Sequence, residues 1–257
     1  MKSAIIFALA SIAMAAPTST IEKRQLPGFG SSSGASSGLG ALESLFPGIP
    51  GSSSGSSSGS NSLGGGGLIG IPGLSSITEN GVTQNAGCKE YTFIFARGTT
   101  EPGNMGTVIG PPLAMQLNSL TGNKVTVQGV DYPADIAGNA LLGASGGPAM
   151  AQLVKQALSQ CPQTKVLLGG YSQGAMVVHN AANTLAAGQV TAAVLFGDPF
   201  KAENVGKVAG DKVKEFCHLG DPVCLNGVNG LAHITYGTDA ETAAKFLVQA
   251  AGAATSS

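Results

Sequence analysis

The stretch Lys165-Val166-Leu167-Leu168-Gly169-Gly170-Tyr171-Ser172-Gln173-Gly174-Ala175-Met176-Val177-Val178 decides how this chain folds. An apolar run of strand length meets a glycine-rich turn, and helix-forming residues continue from Gln173 as far as Ala186. Gly170-Tyr171-Ser172-Gln173-Gly174 sits at that turn. The same G-x-S-x-G pattern also begins at Gly30, Gly34, Gly51, Gly55 and Gly143. A pattern this frequent carries little by itself. Only the copy at Gly170 has a buried strand before it and a helix after it, the setting that projects a serine from a sharp turn beside a helix N-terminus.

Outward from this turn, strands are expected at Tyr91 to Ala96, Val125 to Val130, Lys165 to Gly169, Ala192 to Phe196 and Lys212 to Cys217. Helices are expected near Pro111 to Leu120, Gly147 to Gln160, Gln173 to Ala186 and Ala240 to Ala250. Alternating strands and helices imply a parallel sheet with helices on both faces. In such sheets, sites form at the carboxyl ends of the strands.

The region before this domain differs in composition. Residues 1–16, with Lys2 ahead of an apolar run from Ala4 to Ala13, read as a secretory signal peptide, and 17–24 as a short propeptide ending in the dibasic pair Lys23-Arg24. Residues 25–81 are a Gly/Ser-rich linker unable to bury enough surface to fold alone. Their root-mean-square span is about 40 Å. Apolar residues recur there beside Pro-Gly, as in Phe46-Pro47-Gly48, so weak adhesion to a waxy polymer competes with a plain spacer role. Residues 82–257 form one domain of ordinary length.

The formal net charge is −1 over 257 residues. No basic stripe marks a nucleic-acid or anionic-membrane partner. No apolar run is long enough to span a bilayer. The expected protein is secreted and monomeric, and an uncharged substrate suits it.

Four cysteines in a secreted chain suggest two disulfides, for which three pairings exist. Cys88 with Cys161 and Cys217 with Cys224 is preferred, because the second pair closes a small loop without strain. The chain-entropy model gives the long loop about 4 kcal/mol and the short one about 2.5 kcal/mol. Zinc held by Cys217 and His218 lacks paired C-x-x-C spacing.

A serine hydroxyl needs a base to act as a nucleophile, and the chain has three histidines. His179 lies two helical turns beyond Ser172 and is carried away from it, to the helix surface or into packing. His218 falls in the Cys217 to Cys224 loop. His233 follows that loop, in the order serine, acid, histidine. Asp221, inside the loop, is the preferred acid. Asp198, in Gly197-Asp198-Pro199, is its rival, and an Asp-Pro at a strand end also simply starts turns. Oxyanion donors are expected from the backbone of Gln173 and from Thr99, in the turn Ala96 to Glu101. Arg97 is expected to pair with Glu101.

Four segments together resemble the cutinase family: Phe95-Ala96-Arg97-Gly98-Thr99-Thr100-Glu101, Gly170-Tyr171-Ser172-Gln173-Gly174-Ala175, Cys217-His218-Leu219-Gly220-Asp221-Pro222-Val223-Cys224 and His233-Ile234-Thr235-Tyr236-Gly237. The resemblance runs from about Cys88 to Ala250. It implies a compact, lidless α/β-hydrolase fold with a five-stranded sheet, and hydrolysis of cutin and other carboxylic esters. It implies catalytic Ser172, Asp221 and His233, oxyanion donors Thr99 and Gln173, the preferred disulfide pairing, and no cofactor or metal. Thr99 stands where many cutinases carry serine. Phe196-Gly197-Asp198-Pro199 looks more like the acetylxylan esterases, the alternative activity. A non-enzymatic wall protein is the remaining alternative. Ile136, Leu225, Val228, Leu231 and Ile234 are candidates to receive an acyl chain, against ordinary core packing.

Overall fold

The computed structural model describes residues 76–224 and 227–252. The signal, propeptide and most linker readings, and that for Leu225, lie outside the described residues. Five strands, β1 (Tyr91–Ala96), β2 (Val125–Gly129), β3 (Lys165–Tyr171), β4 (Ala192–Phe196) and β5 (Val213–Phe216), form one parallel sheet in the order β2-β1-β3-β4-β5. Four helices accompany them among the described residues: α1 (Gly110–Thr121), α2 (Gly147–Gln160), α3 (Gln173–Thr184) and α4 (Ala240–Ala250).

The strands alternate their side chains between two cores, as a sheet covered on both faces requires. Tyr91, Phe93 and Phe95 of β1, Leu167 of β3 and Val194 of β4 pack with Leu113 and Leu117 of α1 and Leu247 of α4. Ile94, Leu168 and Leu195, each one residue out of phase, pack with Met150 and Val154 of α2 and Val177 and Val178 of α3. Residues 77–81 also bind the domain. Gly81 N–H donates to Val127 O (2.9 Å), Gly129 N–H to Glu79 O (2.8 Å), and Met105 N–H to Ile77 O (3.0 Å). Asn80 thus makes a short antiparallel bridge to Gln128 and covers part of the β2 edge.

Element limits depart from expectation where tertiary contacts decide them. β3 runs two residues further, because Gly170 and Tyr171 pair with Leu195 and Phe196. β5 is shorter at both ends, with Lys212 in a 3₁₀ turn and Cys217 in a disulfide. α3 stops at Thr184, since Leu185 turns extended. Both preferred disulfides are present, Cys88–Cys161 across 73 positions and Cys217–Cys224 across 7.

Candidate active site

Ser172 joins β3 to α3 with φ 55° and ψ −117°, a conformation that costs a non-glycine residue energy and must be held by its surroundings. Two contacts hold it. Its N–H donates to Phe196 O at 2.9 Å, and the start of α3 is pressed against the end of β1. A Cβ on Gly174 would lie 2.0 Å from Ala96 O, so only glycine admits this approach.

His233 lies on the 3₁₀ turn Ala232–Ile234, with its ring 5.1 Å from that of Tyr171, the neighbour of Ser172. The Tyr171 hydroxyl donates to His233 O at 2.8 Å. His233 Nδ1 is 2.8 Å from Asp221 Oδ2. An ionised Asp221 accepts there, so the proton sits on Nδ1 and Nε2 keeps its lone pair. Among the described residues, no hydrogen bond joins Ser172 Oγ to His233.

Asp221 is fully buried inside the small disulfide loop. Burial alone pushes its carboxyl up. Donors from the Tyr236 hydroxyl, His233 and Val223 N–H (2.8 Å) outweigh that and hold it below the usual carboxylate range. Tyr236 went unassigned in the sequence reading, although it stands three positions after His233. It is completely buried, donates to the Asp221 oxygen that His233 shares, and accepts from His218 N–H at 3.1 Å. Burial, then the bond to Asp221, raises its phenol well above the ordinary value.

A depressed carboxyl adds stability above its unfolded value, about 3.9, and that stability is lost as pH falls through the lower folded value. Tyr236→Phe removes one donor to the charged carboxylate and is expected to cost about 1.5 to 3 kcal/mol at neutral pH. Thermal unfolding of both proteins at pH 7 and pH 3 checks this. The gap in Tm should narrow at pH 3, whereas an unchanged gap would assign the loss to packing alone.

The turn after β1 is organised by Glu101. Its Oε2 accepts from Gly98 N–H (2.7 Å), and its Oε1 from Thr107 N–H (2.8 Å) and Val108 N–H (2.9 Å). The expected Arg97 to Glu101 ion pair is therefore corrected. Those N–H groups occupy the carboxylate, and Arg97 donates instead to the Glu101 main-chain carbonyl (2.7 Å) and to Tyr132 O (2.8 Å). Thr100 N–H donates to Ala134 O (2.7 Å), and Thr99 Oγ1 to Asn139 Oδ1 (3.2 Å). Gln173, fully buried, reaches the same loop through Nε2 to Asp135 O (2.7 Å). The N–H groups of Thr99 and Gln173 have no partner among the described residues; for Gln173 this follows from its place as first residue of α3.

The rival acid Asp198 is engaged elsewhere. Its Oδ2 lies 2.8 Å from His179 Nε2, and its Oδ1 accepts from Phe200 N–H at 2.8 Å. His179 is buried rather than on the helix surface. Nearby, burial, with Asp198 adding to it, lifts the Glu215 carboxyl to about 8. His218 bonds Asp239 (2.7 Å) and Thr235 (2.8 Å) and stacks on Tyr236. Of the acyl-chain candidates, Val228 is 99% exposed, Ile136 76%, Leu231 70% and Ile234 57%, so core packing does not account for them.

Residues 87–251 match the family described as Cutinase. The chain belongs to the cutinase family. Over 177 residues it is 67% identical to Cutinase 4 of Emericella nidulans, covering 69% of this chain and 78% of that one. Trichoderma reesei cutinase, solved with a C11Y4 phosphonate inhibitor, superposes with a TM-score of 0.61 at 42% identity, over 65% of this chain and 78% of that one. An acetyl xylan esterase structure gives 0.54 at 27% identity, over 65% of this chain and all of its own. This cutinase-family chain is a carboxylic ester hydrolase with an α/β-hydrolase fold.

Proposed function

We propose that the chain is a secreted, monomeric serine esterase that cleaves cutin-like polyesters and short- to medium-chain acyl esters without nucleic-acid partners, metal or cofactor in the reaction. The observation that carries this reading is the His233 to Asp221 hydrogen bond, formed on a buried carboxylate beside the strained Ser172 turn. His233 Nε2 takes the Ser172 proton as Oγ attacks the ester carbonyl, and Asp221 stabilises the resulting imidazolium. The serine–histidine hydrogen bond forms once substrate is seated. The free N–H groups of Thr99 and Gln173 receive the oxyanion. The imidazolium then protonates the leaving alcohol, and water activated by the same ring releases the acid. Two disulfides and the apolar run at residues 4–13 support passage through an oxidising secretory route.

Exposed Ile136, Val228, Leu231 and Ile234 favour an aliphatic acyl chain over a polysaccharide. The acetylxylan esterase reading rests on Gly197-Asp198-Pro199 and the 27% identical neighbour, but Asp198 bonds His179, away from the candidate triad. Hydrolysis of p-nitrophenyl esters from acetyl to palmitoyl separates the two, with Ser172→Ala as control. Turnover well beyond acetate supports the cutinase reading, and turnover of acetate alone supports the other.

Glu101→Ala leaves three N–H groups without their acceptor and loosens the turn that presents Thr99. The expected loss in kcat is about 10²- to 10³-fold, as when one oxyanion donor is removed. Steady-state kinetics on p-nitrophenyl butyrate check this, and an unaltered kcat would exclude the turn from catalysis.

A further inference from the structure

Outside the candidate triad, three chemistry-bearing side chains from separate elements converge. His179 comes from α3, Asp198 from the turn after β4, and Glu215 from β5, where it pairs with Leu195. One donor atom from each lies within 4.8 Å of the other two. His179 and Asp198 are buried, and Glu215 Oε2 is fully enclosed with no hydrogen-bond partner among the described residues. His179 Nδ1 faces the Asn204 carbonyl at 3.3 Å, which keeps a proton on Nδ1 and turns Nε2 towards the carboxylates. A backbone carbonyl behind the imidazole is how metal-binding histidines are commonly oriented. Phe200 N–H holds Asp198 Oδ1, leaving Oδ2 on the cluster side.

We infer that His179 Nε2, Asp198 Oδ2 and Glu215 Oε2 form a binding site for a divalent transition-metal ion of the zinc class. One imidazole nitrogen with two carboxylate oxygens suits zinc, whereas calcium takes six to eight oxygens and softer ions take thiolates. The cation gives Glu215 Oε2 a partner and sets a positive charge between the two adjoining carboxyl groups. It displaces the hydrogen shared by Nε2 and Oδ2 and the one that the Glu215 carboxyl holds at neutral pH, so uptake releases protons. A cavity of about 400 Å³, lined by His179, Asn180, Asn183, Phe200, Glu203 and Asn204 among others, reaches the His179 member of the cluster. The role is structural. The ion ties α3 to the exits of β4 and β5, and Gly197, next to Asp198, backs the His233 ring so closely that a Cβ there would lie 2.6 Å from Cε1.

The test titrates Zn²⁺ into the chelator-stripped full chain by calorimetry and follows Tm. One equivalent should bind, and Tm should rise by several degrees and fall back with chelator. Glu215→Gln and His179→Gln, checked for folding by circular dichroism, should each weaken binding more than about 100-fold, since even groups behind a ligand are worth about 10- to 100-fold. His218→Asn should change neither result, because the His218 and Asp239 pair is the competing surface site. If a variant does not fold, the visible spectrum of Co²⁺ bound to the unaltered chain decides, since it reports nitrogen and oxygen ligation. No saturable binding, or binding that survives in both cluster variants and disappears in His218→Asn, would overturn the assignment.

Discussion

Ser172→Ala is expected to lower kcat on p-nitrophenyl butyrate by up to about a million-fold, with KM and thermal stability little changed. The substitution removes only Oγ, which makes no hydrogen bond to His233 among the described residues, so no bond between the two side chains is sacrificed. The turn is held by the Ser172 N–H to Phe196 bond and by the fit of Gly174 against Ala96, neither of which involves the side chain. The unaltered N–H groups of Thr99 and Gln173 leave a residual rate about 10³- to 10⁴-fold above water. A loss accompanied by a large fall in Tm would instead mark Ser172 as structural.

Asp221→Asn is expected to cost about 10⁴-fold in kcat. The amide nearly matches the carboxylate in shape, but it brings an NH₂ group to a site where Tyr236 and His233 both donate to one oxygen. If that NH₂ faces His233, the ring must accept on Nδ1, and its proton moves to Nε2, the position that has to receive the serine proton. If the amide turns over, Val223 N–H loses its acceptor instead. Asp198→Asn, which touches His179 and not His233, should leave kcat within about tenfold. The reverse ranking would transfer the acid role to Asp198. Steady-state kinetics on both variants decide this.

The sheet was legible because its signal is local. Short apolar runs alternate with helical stretches, and β1, β4, α2 and α4 fall where that pattern put them. Limits set by tertiary pairing were not legible, as in the extension of β3 through Tyr171 alongside Phe196. At the candidate site, Ser172, Asp221 and His233 could be put forward because the disulfide loop and the serine turn have local signatures. Tyr236 could not be assigned, since its value lies in a hydroxyl aimed at Asp221 within the core. Glu101 and Arg97 were misread for a related reason. Charge complementarity suggests a pair, but three N–H groups around the carboxylate and carbonyls around the guanidinium satisfy both separately. The His179, Asp198 and Glu215 cluster depends on a helix, a turn and a strand far apart in the chain meeting in space, and no sequence spacing announces it.

The most direct measurement is covalent labelling with an alkyl phosphonate ester, followed by mass spectrometry of the digested protein. The expected result is one phosphonyl group per chain, on the peptide carrying Ser172, with loss of activity in step with labelling and much slower labelling in Asp221→Asn. Inactivation without modification of Ser172, or stoichiometric modification of another residue, would contradict the assignment of Ser172 as the nucleophile.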